Sequence, residues 1–255
     1  MPRLMDVDPG MQTGTIGGAG SGFNFSGKRI EHLAGLSSEW TLATVAVDAT
    51  GSVLGFNDLL RQCLMSTARG CQLSPRRDYI MLRALIFNSH LDHGVEEIHG
   101  FKPVNEINPD DYPEIIPDGY TTLNDACYSS IGASNKYGED LRRQDYNANG
   151  ILVVITDGGE NASTASQAMV KSELESTVRE EKLESMVSIL VGINAKQLKK
   201  TLEAYQRDTG IDHYIDAGEA TPDNMAKLAG FISQSVSSQS QHVGTGGPSQ
   251  IPPQI

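Results

Sequence analysis

Apolar and polar positions along the chain switch repeatedly between two periods. Trp40 to Val47 is a β-rich run that stops at Asp48. Phe56, Leu59, Leu60, Cys63 and Leu64 then recur at helical spacing, with Arg61 and Gln62 outside the stripe. Tyr79 to Phe87 is apolar on both faces, the pattern of a strand covered by helices on either side. Val95 to His99 is short and polar and predicts an edge strand. Leu123 to about Leu141 reads as a helix, and Ile151 to Ile155, the most hydrophobic run, stops at Thr156-Asp157-Gly158. Thr164 with Gln167 predicts a capping-box start for a charged helix to about Glu184. Val187 to Ile193 is a second buried strand, Lys196 to Arg207 a helix, His213 to Asp216 a short last strand, and Thr221-Pro222 opens a final helix. This alternation predicts an α/β fold: a doubly wound, mostly parallel sheet with helices on both faces.

The two ends break the pattern. Residues 9–22 are rich in Gly, Thr and Ser, and residues 236–255 are Ser, Gln, Gly and Pro without an apolar period. The expected organisation is an N-terminal arm over 1–38, one domain over 39–236 and a polar tail over 237–255, with both arms flexible. There is no internal repeat.

Composition narrows the function. The formal net charge of −12 sets a repulsive field against nucleic acid and anionic lipid, so neither is an expected partner. No apolar run is long enough to span a bilayer, and Met1 to Asp6 lacks a signal-peptide pattern. Cys63, Cys71 and Cys127 are odd in number and have no metal-ligand spacing; Cys63 falls on an apolar helix face. These features predict a cytoplasmic location.

Candidate chemistry gathers at strand ends, where open parallel sheets bind ligands. Two strands end in an aspartate, Asp48 and Asp157. In an extended Asp48-Ala49-Thr50-Gly51-Ser52, positions 48, 50 and 52 face one way and present a carboxylate and two hydroxyls. Gly119-Tyr120-Thr121-Thr122-Leu123 adds threonine hydroxyls in a loop entering a helix. An oxygen-only set suits a hard cation such as Mg²⁺ better than Zn²⁺. Any one of these motifs could merely cap a helix; three in this order point to a site.

Hydrophobic strand, Asp-x-Thr-x-Ser, Gly-x-Thr-x-Leu loop and strand-Asp-Gly, in that order, resemble the metal-ion-dependent adhesion site of von Willebrand factor A (vWA) domains, over roughly residues 40–236. The family has serine where Thr50 stands, which keeps the hydroxyl, and often methionine where Val53 stands. The resemblance implies metal ligation by Asp48, Thr50, Ser52, Thr121 and Asp157, Mg²⁺ or Mn²⁺ as the cation, and a partner's Asp or Glu completing the shell. It implies a non-enzymatic adaptor of the bacterial or phage intracellular type, working with an AAA+ ATPase of the MoxR class. Two other readings remain open. Asp48-Ala49-Thr50-Gly51-Ser52 and Thr156-Asp157-Gly158 also resemble motifs of haloacid dehalogenase-like phosphatases, with Asp48 as nucleophile, although the second aspartate of Asp-x-Asp is missing. The chain could also be a structural component of an assembly, the metal only stiffening loops.

Weaker motifs read as structure. Gly22 to Lys28 has P-loop spacing, but Arg29 replaces the Ser or Thr that holds Mg²⁺ and no apolar strand precedes it; Phe23 and Phe25 are expected to pack from the arm. Asp145 to Gly150 copies half of an EF-hand loop but runs into a buried strand, so it reads as a turn. His90, Asp92 and His93 read as turn residues between strands, and the Asn24 and Asn161 glycosylation sequons matter only in a secreted protein. Asn105 to Asp118 carries Glu106, Asp110, Asp111, Glu114 and Asp118, an expected acidic rim beside the metal that favours a basic surround on the partner.

Overall fold

A computed structural model describes residues 10–17, 22–33 and 35–241. Its strands are β1 (Met11–Thr15), β2 (Asn24–Lys28), β3 (Glu39–Asp48), β4 (Ile80–Phe87), β5 (Val95–Pro103), β6 (Asn147–Thr156), β7 (Met186–Gly192) and β8 (His213–Asp216). They form one sheet in the order β1-β2-β5-β4-β3-β6-β7-β8. Every pairing from β4 through β3, β6 and β7 to β8 is parallel, while β4–β5 and β1–β2 are antiparallel. The helices are α1 (Asn57–Leu73), α2 (Leu123–Arg142), α3 (Gln167–Arg179), α4 (Lys199–Thr209) and α5 (Pro222–Gln241).

Strand alternation divides the core in two. Ala43, Val45 and Val47 of β3 face one way and pack with Leu60, Leu64, Leu228 and Ile232 of α1 and α5. Leu42 and Ala46 face the other way, onto Leu123, Ile131, Val170 and Leu202 of α2, α3 and α4. β3 and β6 are therefore buried on both sides, which is why they read as unbroken apolar runs. The expected doubly wound architecture is the one observed. Cys63, Cys71 and Cys127 are all buried and free, and Cys63 packs in the first core as expected. None of the described helices is long and apolar enough to cross a membrane.

Strand order reverses about β3. α1 carries the chain from β3 to β4 across one face; α2 carries it to β6 across the other. The crevice that this opens lies at the carboxyl ends of β3 and β6, where Asp48 and Asp157 stand.

The N-terminal segment departs from expectation. Where an arm was expected over 1–38, Met11–Thr15 and Asn24–Lys28 form a hairpin that joins the sheet beside β5. β5 is thus interior, not an edge, and runs on to Pro103. Glu97 of β5 makes the junction: it accepts from the Ser26 amide (3.0 Å) and Ser26 Oγ (2.6 Å), and from Nε of the fully buried Arg83 (2.6 Å). Gly100 lets the strands approach, since a Cβ there would meet the Ser26 carbonyl oxygen at 2.1 Å. Phe23 and Phe25 are buried, Phe23 edge-on to Tyr128 and Phe25 edge-on to Tyr137. A polar strand pattern hid this arrangement, because Glu97 is satisfied by partners that sequence spacing does not reveal. At the other end α5 runs to Gln241, five residues into the expected tail; the tail from 242, like the arm at 1–9, lies outside the described residues.

Both ends of α3 also differ. The N-cap of α3 is Ser166, whose Oγ accepts from the Met169 amide, not Thr164. Thr164 is drawn away by Asp125, to which it donates both its amide and its hydroxyl. The helix stops at Arg179, short of Glu184, because the chain turns at Glu181 with φ 53°. Of the expected turn over Asp145 to Gly150, only Asp145 and Tyr146 precede the strand, Asp145 with φ 62°; Asn147 to Gly150 already belong to β6.

Candidate metal centre

Asp48 is the last residue of β3, and its side chain is completely buried. One carboxylate oxygen accepts the Thr50 amide at 2.9 Å, which tightens the backbone just past the strand. The other accepts Thr156 Oγ1 at 2.6 Å, from the end of β6. Thr50 Oγ1 lies 2.9 Å from Ser52 Oγ, and Ser52 Oγ donates to Asp157 Oδ1 at 2.7 Å. Asp48, Thr50, Ser52 and Asp157 thus form one hydrogen-bonded cluster. Asp48 and Thr50 make its buried floor, Asp157 is half-buried, and Ser52 stands at the surface.

Thr121 joins from a third segment. Its hydroxyl lies over Gly158, where a Cβ would sit 2.8 Å from Thr121 Oγ1. Glycine at the position after Asp157 leaves room for this threonine beside the cluster. The Thr121 amide donates to Asn161 Oδ1 (2.9 Å), and the Asn161 amide returns a bond to the Thr121 carbonyl (3.1 Å). Glu160 extends the stitch by accepting from the Asn124 amide in the first turn of α2 (2.7 Å) and from Ser163 Oγ (2.6 Å). Asp125 accepts from the Ala165 amide at 2.7 Å. The loop after β6 is in this way bound to the start of α2, which has no side-chain cap of its own at Thr122.

The supporting roles of Thr156, Asn161, Glu160 and Asp125 were not visible in the sequence. Thr156-Asp157 was legible as a strand end, but that its threonine would bond the other strand's aspartate follows only from β3 and β6 being neighbours.

The electrostatics fit a cation. Burial pushes the Asp48 carboxyl up to about 6, against the lowering effect of its bonds from Thr156 and Thr50. Asp157 is also raised, again chiefly by burial. Among the described residues neither carboxylate forms an ion pair. Two carboxylates and three hydroxyls, with no nitrogen or sulfur donor, are the chemistry of a hard divalent ion. Among the described residues no group of three or more His, Cys, Asp or Glu side chains gathers to bind a metal.

The other sequence candidates lie elsewhere. His90 Nδ1 pairs with Asp118 at 2.8 Å, while His93 packs against Phe23. Lys28 pairs with Glu106 at 2.6 Å in place of any phosphate role. Glu106, Asp110 and Asp118 are already partnered, by Lys28, Arg69 and His90, and Asp111 accepts from Asn108. Of the expected acidic rim, only Glu106 and Asp110 face a Lys or Arg among the described residues, while Asp111 and Glu114 are exposed and keep their charge.

No protein-family model matches the sequence, and no curated protein matches it. Among solved structures the chain is similar to the pilus adhesin SpaC from Lactobacillus rhamnosus GG, with a TM-score of 0.55 and 10% identity over 78% of this chain. The open conformation of that adhesin gives a TM-score of 0.52, also at 10% identity over 78% of this chain. The chain spans 31% and 30% of the length of those two adhesin chains. Proximal thread matrix protein 1 from the mussel byssus, in a structure with a zinc-occupied MIDAS motif, gives a TM-score of 0.47 at 15% identity, covering 78% of this chain and 46% of that one. Identities this low establish the fold, a vWA-like doubly wound sheet, and nothing finer.

Proposed function

We propose that the chain is a metal-dependent protein-binding module in which Asp48, Thr50, Ser52, Thr121 and Asp157 hold a divalent cation. The observation that carries this reading is the convergence of oxygen donors from three segments on two carboxylates that face no cationic side chain. When bound, the cation supplies Lewis-acid attraction for one further oxygen, and a partner's Asp or Glu is the ligand that the reading assigns to it. Mg²⁺ is the preferred ion and Mn²⁺ its nearest substitute.

The chain's own residues prepare that contact. Asp48 is fixed by Thr50 and Thr156, so its orientation is set before any ligand arrives. Ser52 sits at the mouth, and Thr121 is held by Asn161. A nucleophilic role for Asp48 is disfavoured because the second aspartate of the Asp-x-Asp pattern is missing, its place being taken by Thr50. A cytoplasmic setting and an AAA+ ATPase of the MoxR class as partner complete the proposal, as the sequence resemblance suggests.

The test is affinity capture from host lysate with the tagged full chain in Mg²⁺, in EDTA, and with Asp48→Ala. A partner retained only by the intact protein in Mg²⁺ supports the module. Partners indifferent to both treatments would assign the metal a purely structural part. Phosphatase turnover abolished by Asp48→Asn would restore the enzymatic reading.

A further inference from the structure

Seven large apolar side chains stand exposed among the described residues: Leu36, Leu54, Leu73, Ile116, Tyr120, Met169 and Val178. Isolated exposed apolar residues are ordinary. Leu54, Ile116 and Tyr120 belong to adjoining segments beside the candidate site. They are 75%, 74% and 68% exposed, and all three lie on the two segments that deliver Ser52 and Thr121.

Those segments are stitched side by side. The Gly51 amide donates to the Gly119 carbonyl at 3.2 Å, and the Asp118 amide to the Ala49 carbonyl at 2.9 Å. Asn57 Nδ2 donates to the Ile115 carbonyl at 2.9 Å, which holds the chain beyond Leu54 beside the chain at Ile116. Each exposed residue follows or precedes a buried anchor: Val53 before Leu54, Ile115 before Ile116, Thr121 after Tyr120. The backbone is therefore fixed while the apolar side chains point out. Tyr120 is fixed further by its amide on Ser89 Oγ at 2.9 Å and its carbonyl on the Ser89 amide at 2.9 Å.

The charges in this region are partly paired, and Glu114 stands exposed two residues before Ile116. Asp118 is paired with His90, and the two site carboxylates would balance one divalent ion. The ion's remaining coordination position would take one incoming carboxylate, beside these apolar side chains.

We propose that Leu54, Ile116 and Tyr120 form the specificity rim of the metal site, and that the occupant is an exposed loop of a partner protein carrying an Asp or Glu with apolar residues on both sides. The inference rests on the metal-binding reading above. An apolar rim excludes water from the carboxylate contact and strengthens it, and it rejects acidic residues flanked by polar or small ones.

The experiment uses the full chain and three cyclic peptides, containing Leu-Asp-Phe, Gly-Asp-Gly and Leu-Asn-Phe, titrated in saturating Mg²⁺. Mg²⁺ affinity is measured separately by calorimetry. The expected result is a Leu-Asp-Phe preference over Gly-Asp-Gly of about tenfold or more. The combined variant Leu54→Ser, Ile116→Ser, Tyr120→Ser loses that preference while Mg²⁺ affinity stays unchanged. Equal binding of those two peptides, a preference that survives in the variant, or no peptide binding by the Mg²⁺-saturated protein would overturn the rim. Flotation with phosphatidylcholine vesicles that the variant abolishes would assign the patch to a membrane and overturn it too. The metal reading fails in a different way: no heat with Mg²⁺, or Leu-Asn-Phe bound as well as Leu-Asp-Phe while the apolar preference persists.

Discussion

Ser52 Oγ donates to Asp157 Oδ1 across 2.7 Å and 105 residues of sequence. This bond closes the crevice between β3 and β6 and joins the two halves of the candidate site. Both side chains lie within reach of solvent, so their oxygens are open to a ligand.

Replacing Asp157 with alanine should remove the site's capacity to be stabilised by Mg²⁺. At Mg²⁺ about a hundred times the dissociation constant, linkage adds about 2.7 kcal/mol to the native protein. For a chain of this size that corresponds to a rise in Tm of about 5–10 °C. Thermal unfolding in Mg²⁺ and in EDTA checks this: the intact protein should show the difference and Asp157→Ala should not.

Asn161→Ala should weaken Mg²⁺ binding without touching any proposed ligand. Its side chain accepts the Thr121 amide, and the variant frees that loop to drift from Gly158. Supporting contacts of this kind are worth about 10–100-fold in metal affinity. Calorimetric titration of the variant, with circular dichroism to show that the fold is kept, measures the effect. An unchanged affinity would mean that Thr121 is not a ligand or needs no support.

Glu97→Gln should loosen the N-terminal hairpin. Arg83 is fully buried, and the substitution leaves its guanidinium without a counter-charge. Breaking a buried pair from one side costs about 3–5 kcal/mol, and the lower end applies because Glu97 is not fully enclosed. Hydrogen exchange should rise at Phe25 to Lys28, ahead of β3 and β6. Uniform loss of protection throughout the sheet would show instead that the hairpin is not a separable unit.

His99 should make the protein acid-sensitive. Burial pushes its imidazole down from 6.5 to about 4, with Nε2 held by the Tyr112 hydroxyl at 2.7 Å and Nδ1 by the Gly100 carbonyl. Lys102 and Arg83 add to the lowering, and Glu97 opposes it. Because the folded value lies below the unfolded one, the contribution is complete above pH 6.5 and is lost as pH falls through about 4. Each unit corresponds to about 1.4 kcal/mol, and partial solvent access reduces the total to on the order of 2 kcal/mol. Urea unfolding in EDTA from pH 7 to pH 4 should lose this stability in the intact protein and lose less in His99→Gln.

Much of this architecture can be read from the chain. β3, β4, β6 and β7 were legible because burial on both faces demands continuous apolar runs such as Val45 to Val47 and Ile151 to Ile155. The five proposed ligands were legible as spacing; hydrogen bonds link Thr50, Ser52 and Asp157, and Thr50 to Asp48, while Thr121 lies over the neighbouring Gly158. What was not legible depends on pairs distant in sequence. Met11–Thr15 and Asn24–Lys28 are short and hydroxyl- or glycine-containing, so their strand character comes from Glu97, Arg83 and Gly100 more than from themselves. Thr164 failed as a cap for the same reason: Asp125, 39 residues earlier, competes for it. The exposed apolar rim was invisible because Leu54, Ile116 and Tyr120 have no period in common.

The placing of β2 against β5 also orders events in time. A ribosome delivers Ser26 long before Glu97, its partner 71 residues later. The first strands of the molecule are therefore among the last to find their seats, and they must wait as an unpaired ribbon while β3 and β4 assemble. Until α2 brings Tyr128 and Tyr137 against them, the nascent chain presents Phe23 and Phe25 to its surroundings. A chaperone that acts on this protein during synthesis would meet its longest-lived apolar target there.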